Sequence, residues 1–290
     1  MTAHVDAHLH VWDLDRCHYG WLSPAAGALH RTFTAGEAHK ALQAAGMDAA
    51  VLVQAADTIC DTDAMLDAAA AHPWVAGVVG WVPLADPAAA ARELDRRTAA
   101  WPVFKGVRHL VHVDPDREFL ARPEVVTSLR TVARHGLVLD VPDAWPRHLP
   151  AMAALADAVP DLTVVLDHLG KPPIGRDDFP AWAAALRDLA RRGNVVAKLS
   201  GLDTATRRRD WTAHDLRPAV DLALESFGPS RLMYGGDWPM TVPGGGYASV
   251  WSRMRESVAA LSLDERRAVM GGTATRVYGL DLAGPGPAMG

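Results

Sequence analysis

The segment His4-Val5-Asp6-Ala7-His8-Leu9-His10 has the alternation of a β-strand and lies almost at the start of the chain. Successive side chains of a strand point to opposite faces, so the sequence places Asp6, His8 and His10 on one face and the apolar residues on the other. A His-x-His pair on a strand is either a pair of polar surface residues or part of a site. The rest of the chain decides between these two interpretations.

Strand-like apolar segments alternate with helical patterns along nearly the whole chain. Capping signals support the helices: Thr34 with Glu37 forms a capping box, Gly46 is a stop signal, and Asp86 caps a helix that starts with Pro87. The eight predicted strands are residues 4–10, 49–55, 75–82, 104–111, 137–141, 162–168, 195–199 and 232–237. Further predicted helices are residues 63–71, 123–135, 145–158, 180–192, 215–227, 247–261 and 264–278.

This repetition predicts an α/β protein with a single (β/α)8 TIM barrel over residues 1–282. The alternative is a doubly wound open sheet, but no Gly-x-Gly-x-x-Gly follows the first strand, as a dinucleotide-binding sheet would require. Residues 283–290 are rich in glycine and proline and are expected to form a flexible C-terminal tail.

Composition indicates an ordinary globular protein with a small-molecule ligand. Of 290 residues, 49% are hydrophobic and 22% are charged, and the net charge of −5 offers no broad basic surface for nucleic acid or an anionic membrane. The sequence shows no secretory leader and no membrane span, which favours the cytoplasm. Cys17 and Cys60 are too few for a disulfide framework, so both are expected to be reduced. The oligomeric state stays undetermined.

A barrel carries its active site at the C-terminal ends of its strands, and polar residues occur there. For the fourth strand the alternation leaves open whether Arg108 or His109 points inward. Tryptophans next to strand ends can pack on a sugar ring, although each is more often a packing residue. The candidates are His8, His10, Arg108, His109, His168, Lys198 and Asp237, with Trp12, Trp81 and Trp238 as aromatic neighbours.

Five motifs resemble the amidohydrolase superfamily, and within it the branch of lactonases that act on sugar lactones and on 2-pyrone-4,6-dicarboxylate. They cover most of the chain in the order of the family. The motifs are Val5-Asp6-Ala7-His8-Leu9-His10-Val11-Trp12, Gly106-Val107-Arg108-His109, Leu166-Asp167-His168-Leu169-Gly170-Lys171-Pro172, Lys198-Leu199-Ser200-Gly201 and Tyr234-Gly235-Gly236-Asp237-Trp238-Pro239.

The chain departs from the metal-dependent members in ways that argue against two metal ions. The predicted fifth strand contains no histidine, and Lys105 lies too early in the fourth strand to reach the barrel mouth. His8, His10, His168 and Asp237 remain as a set that suits one zinc or similar ion. Because the lactonase branch includes members that work without a metal, no metal is expected to be required.

The resemblance implies hydrolysis of a lactone such as a fuconolactone or rhamnonolactone. We expect Asp237 to act as the general base, with burial beside Trp238 raising its proton affinity. The histidines at positions 8, 10 and 168 would polarise the carbonyl, helped by Arg108 or Lys198. Alternatively, Asp237 is only a helix cap, Lys198 a structural ion-pair partner, and His168 a core histidine.

Two other functions stay open. One is a metal-dependent decarboxylase, or another hydrolase of C–O or C–N bonds, in the same superfamily. The other is a barrel that binds a small molecule without catalysis. The segment 18–22 resembles a family segment that caps the pocket, and the Gly244-Gly245-Gly246 loop is also expected near the site.

Overall fold

Eight parallel strands form a closed barrel, which confirms the predicted fold. The computed structural model describes residues 3–282, and the predicted tail 283–290 lies outside them. Each strand pairs with the next along the chain. The ring closes between the first and last strands, where Leu9 pairs with Trp238 and the amide of Asp237 donates to the carbonyl of His8 over 2.8 Å. The strands are β1 Val5–Leu9, β2 Ala49–Val53, β3 Val75–Gly80, β4 Phe104–Arg108, β5 Val138–Val141, β6 Val164–Leu166, β7 Val195–Leu199 and β8 Leu232–Tyr234.

Helices connect the strands and form the outer layer. The capping box of Thr34 and Glu37 is present, Gly46 ends its helix with φ of 71°, and the Asp86 side chain accepts from the amides of Ala88 and Ala89. The helices are α1 Ala35–Ala45, α2 Ile59–Ala71, α3 Pro87–Ala100, α4 Pro123–Arg134, α5 Leu149–Ala158, α6 Phe179–Ala190, α7 Leu202–Ala205, α8 Ala213–Phe227, α9 Tyr247–Ser257, α10 Leu263–Arg267 and α11 Thr273–Val277. Single 3-10 turns lie at Pro24–Leu29, Phe119–Ala121, Asp167–Gly170, Pro229–Arg231 and Val242–Gly244.

Two apolar clusters fill the molecule. A small inner cluster of mostly valine side chains fills the barrel and includes Tyr278 and Leu280 from the end of the described chain. A larger cluster lies between the strands and the helices and includes the fully buried Trp182. In β7 the predicted alternation is present, because Val196 belongs to the inner cluster while Ala197 and Leu199 belong to the outer one. This places Lys198 inside the barrel.

The β1 strand does not keep the strict alternation that the sequence predicts. The pairing register with β2 shifts between Asp6 and Leu9. Asp6 therefore does not share the environment of His8. Its carboxylate accepts from the backbone amides of His8 and Gly236 and from the hydroxyl of Tyr247 in α9. Asp6 thus fixes the junction between β1 and the segment after β8.

The single helix predicted for residues 264–278 is interrupted. A π-helical turn, Ala268–Gly272, separates α10 from α11. At Gly271 the backbone passes so close to Ala3 that a β-carbon would lie 2.0 Å from the Ala3 carbonyl oxygen, which leaves no room for a side chain. The break therefore lets the start of β1 pack against this turn.

The cysteine prediction is wrong, because Cys17 and Cys60 form a disulfide bond. Cys17 lies in the long loop after β1, and Cys60 lies in the first turn of α2, 43 residues later. Spacing alone does not reveal that this loop folds back onto α2. The cytoplasmic location stays a prediction, and disulfides are more typical of oxidising compartments.

Among residues 3–282, no helix combines the length and the apolar character that crossing a bilayer would need.

Candidate active site

A cavity of about 160 Å³ opens at the C-terminal ends of the strands. This is the end at which barrel enzymes place their reactive groups. Its lining mixes ionisable groups with apolar side chains from several loops. The lining residues are His10, Trp21, Ala55, Arg108, Leu110, His112, Val113, Pro142, Asp143, His168, Lys171, Asp237 and Met240.

Asp237 lies among the imidazole rings of His8, His10 and His168. Its Oδ1 is 3.5 Å from His10 Nε2 and 3.9 Å from His8 Nε2. His10 Nδ1 lies 2.7 Å from the carbonyl oxygen of Val53, which can only accept, so Nδ1 carries a proton and donates it to this carbonyl. His168 is oriented by a 2.8 Å hydrogen bond between its Nδ1 and Ser200 Oγ.

Left-handed backbone conformations direct these side chains into the cavity. His168 has φ of 55° and Asp237 has φ of 50°, which is uncommon for residues with a β-carbon and typical of functional sites. Gly201, with φ of 54°, lies against both of them. A β-carbon there would be 2.6 Å from Asp237 Oδ2 and 2.7 Å from His168 Nδ1. The absence of a side chain at position 201 therefore makes the approach of these two groups possible.

A buried charge cluster supports the cavity from inside the barrel. Lys198 Nζ donates to Asp140 Oδ2 over 2.5 Å and lies 3.0 Å from Asp167 Oδ1 and 3.1 Å from His8 Nδ1. Arg108 Nη1 donates to Asp167 Oδ2 over 2.9 Å and lies 3.2 Å from His8 Nε2. All these side chains are buried, so the two cations balance the two carboxylates and hold His8 between them.

The pKa shifts differ from the prediction for Asp237. Burial alone raises the pKa of Asp237, but the charge of His168, the hydrogen bond from His10 and the charge of Lys171 together lower it far below its usual range. The expectation of a raised proton affinity is therefore wrong. Burial lowers the pKa of both His8 and His168 by more than the nearby carboxylates raise it. The Asp237 carboxylate is therefore ionised near pH 7 and lies beside the imidazole rings.

One group of residues fits a single divalent ion. Ligand atoms of His8, His168 and Asp237 all lie within 4.8 Å of one another, and two imidazoles with a carboxylate suit zinc. A second group, His8 with Asp140 and Asp167, is equally compact. The Lys198 ammonium contacts all three of its members and already supplies a positive charge there. The second group therefore does not fit a metal ion.

Several predicted binding residues lie away from the cavity. Arg108, not His109, lines it: His109 stacks on Phe119, with ring centres 3.9 Å apart, and bonds to Asp114. Lys198 is not part of the cavity lining, because its ammonium contacts the buried carboxylates of Asp140 and Asp167.

The predicted tryptophans also face elsewhere. Trp12 donates to the carbonyl of Arg31, Trp81 donates to His109, and the Trp238 ring packs on Phe33. The indole that lines the cavity is Trp21, which belongs to the segment expected to cap the pocket and donates to the carbonyl of Ala55.

Sequence reasoning missed three polar lining residues, His112, Asp143 and Lys171. Lys171 stood in the quoted motif after β6 without a role. His112 and Asp143 follow β4 and β5 in irregular segments, where no periodicity indicates the direction of a side chain. Asp167 belongs to the same motif as Lys171 and was not among the candidates. It points into the barrel because β6 has Val165 in the inner cluster and Val164 and Leu166 in the outer one.

Comparisons with known proteins place this chain among amidohydrolases. The amidohydrolase family model matches residues 5–280. An L-fucono-1,5-lactonase from Burkholderia multivorans is 36% identical over 95% of this chain and 96% of its own. The crystal structure of an amidohydrolase from the same organism, with bound zinc, matches with a TM-score of 0.85 at 34% identity, covering 96% of this chain and all of that one. A putative 2-pyrone-4,6-dicarboxylic acid hydrolase from Pseudomonas putida shares the fold, with a TM-score of 0.75 at 22% identity over 96% of this chain and 98% of its own.

Proposed function

The chain belongs to the amidohydrolase family, and we propose that it is a hydrolase that opens the lactone ring of a sugar acid by attack of water on the ring carbonyl. The observation that carries this proposal is the carboxylate of Asp237, buried at the cavity among the imidazole rings of three histidines. The similarity to an L-fucono-1,5-lactonase over nearly the whole chain supports the same reaction class.

In the proposed reaction Asp237 is the general base. Its carboxylate takes a proton from water while the water oxygen bonds to the lactone carbonyl carbon, which gives a tetrahedral oxyanion. Collapse of this intermediate breaks the bond to the ring oxygen, and Asp237 returns the proton to that oxygen. The product is the open hydroxy acid, and atoms and charges balance over the two steps.

Arg108 is the donor that we assign to the oxyanion. It lines the cavity, it is held by Asp167, and its Nε is buried without a hydrogen-bond partner among the described residues. A fixed guanidinium beside the developing negative charge stabilises the transition state more than the ground state. The imidazole rings of His10 and His168, which line the cavity, would orient the carbonyl and the water.

The charges along the cavity favour a neutral lactone over a dicarboxylate. Arg108 and Lys171 supply two positive charges, and Asp143 and Asp237 supply two carboxylates, both with lowered pKa. The burial of Asp143 is outweighed by the charges of Lys171, His168 and His112. A lining whose charges balance binds hydroxyl groups well and repels an added carboxylate at the acidic side chains.

A panel of lactones tests the proposal. We expect release of acid, followed with a pH indicator, from at least one neutral aldonolactone, and at least about tenfold slower turnover of 2-pyrone-4,6-dicarboxylate. Carbon dioxide release from an aromatic acid would instead identify a decarboxylase. Failure to hydrolyse any aldonolactone, with acid release from the pyrone alone, would contradict the sugar-lactone assignment.

Metal removal is expected to leave the activity within about twofold of the untreated protein. If an ion binds, His8, His168 and Asp237 would hold it, with His10 beside them, and it would polarise the carbonyl or the attacking water. Arg108 and Lys198 already provide fixed positive charge around His8, which supports a reaction that does not depend on the ion. Dialysis against a chelator, with elemental analysis and then zinc addition, measures this. Loss of activity that zinc restores would establish a required metal.

A further inference from the structure

We propose that Asp143 and Lys171 form a subsite that binds one ring hydroxyl of the lactone and so sets the substrate specificity. This proposal rests on the proposed lactonase function. The hydroxyl would accept a hydrogen bond from Lys171 Nζ and donate one to Asp143 Oδ1. Neither residue takes part in the bond-breaking steps.

Both residues are placed at the cavity by neighbouring loops. Asp143 follows β5 and Lys171 follows β6, and both line the cavity. The amide of Trp145 donates to the carbonyl of Gly170 over 2.8 Å, which ties the two loops together next to these side chains. The spacing of the two residues is therefore a fixed property of the barrel mouth.

The backbone at both positions is in the left-handed region. Asp143 has φ of 44° and Lys171 has φ of 65°. Residues with side chains in this region are uncommon, and they cluster at active sites and ligand-binding sites. Two of them on adjacent loops, both directing charged side chains to one cavity, indicate a built site.

The two charged groups do not satisfy each other. Lys171 Nζ and Asp143 Oδ1 are 3.9 Å apart, which is too far for a hydrogen bond. Oδ1 has no hydrogen-bond partner among the described residues. An unpartnered carboxylate oxygen of a partly buried side chain is unfavourable, so a donor supplied by the ligand would relieve this cost.

A single hydroxyl fits the gap. An oxygen about 2.8 Å from both Lys171 Nζ and Asp143 Oδ1 would form an angle of about 90° with these two atoms. A hydroxyl tolerates this angle when it accepts one hydrogen bond and donates another. A carboxylate substituent would repel Asp143, and a methyl group would leave both charges without a partner. The chemistry therefore selects a polyhydroxy lactone.

The test compares variants on a matched set of substrates. The variants are Asp143→Asn and Lys171→Met, with Arg176→Met, an exposed arginine paired with Asp178 outside the cavity lining, as the control. The substrates are the best aldonolactone of the panel and its analogues that each lack one hydroxyl. For the full substrate we expect kcat/KM to fall about 10- to 100-fold in each cavity variant and to be unchanged in the control. For one deoxy analogue, wild type and variants should agree within about twofold.

The outcomes separate this proposal from the proposed function. Equal losses on every analogue would overturn the hydroxyl subsite, and so would the absence of any loss, while lactone hydrolysis by the wild type would still stand. If the wild type opens no lactone, both the proposed lactonase function and the proposed hydroxyl subsite are contradicted. Thermal melting of each variant checks that the fold is retained, and Lys171→Arg, which keeps the charge, should recover part of the loss.

Discussion

The Asp237→Asn variant is expected to hydrolyse the lactone about 10³-fold more slowly than the wild type, with KM changed by less than about threefold. The amide has the shape of the carboxylate and tolerates the left-handed backbone at this position, but it cannot take a proton from water. Steady-state measurement of kcat and KM on the best aldonolactone checks this. A variant with full kcat would rule out Asp237 as the base.

The pH dependence gives an independent check of the same residue. Because the pKa of Asp237 is lowered, the carboxylate stays ionised throughout the neutral and mildly acidic range. A base is active when deprotonated, so wild-type kcat should show no acid-side decrease from this group between about pH 5 and 8. A decrease there that is absent from the residual activity of Asp237→Asn would contradict the lowered pKa.

The Lys198→Met variant is expected to lose about 3–5 kcal/mol of the free energy of unfolding. The substitution leaves Asp140 and Asp167 buried in the barrel without the ammonium that contacts both of them. Urea denaturation followed by circular dichroism measures the loss. Arg217→Met, which removes the exposed pair with Asp221, is the matched control and should cost less than about 1 kcal/mol.

The pH dependence of the stability loss in Lys198→Met distinguishes the loss of a buried charge from a packing defect. Burial raises the pKa of Asp140 despite Lys198, and removal of the ammonium raises it further. A carboxylic acid whose folded pKa is raised loses stability as pH rises from its unfolded pKa to its folded pKa. The loss in Lys198→Met should therefore be larger at pH 8 than at pH 5, and adding Asp140→Asn should restore part of it. An equal loss at both pH values would indicate a packing defect only.

The barrel was predictable because its signals are local and repeated. Each predicted strand is short and mostly apolar and is followed by a helical pattern, and capping signals mark some of the helices, so eight βα units could be counted. The strand ends were less predictable. The eighth strand was expected to reach Asp237, but it ends at Tyr234, although the amide of Gly235 still donates to the carbonyl of Leu199.

The site was predictable where a residue lies in or directly after a regular strand and not in the loops. Lys198 points inward because β7 keeps its period of two, whereas β1 shifts its register after Asp6. The directions of Asp143 and Lys171 depend on left-handed backbone angles, which the sequence pattern does not indicate. The three tryptophans at strand ends were assigned by proximity, but proximity along the chain does not fix the orientation of an indole.

Because Cys17 and Cys60 are bridged, the reductant present during purification and assay can affect the measured rate constants. The disulfide bond anchors the loop that carries Trp21, one wall of the cavity, to the first turn of α2. Reduction of this bond by a thiol would remove the anchor and leave the wall held by the hydrogen bonds of Trp21 to Ala55 and of Tyr19 to Asp61. Rate constants from two laboratories are therefore comparable only when the thiol content of both samples has been titrated.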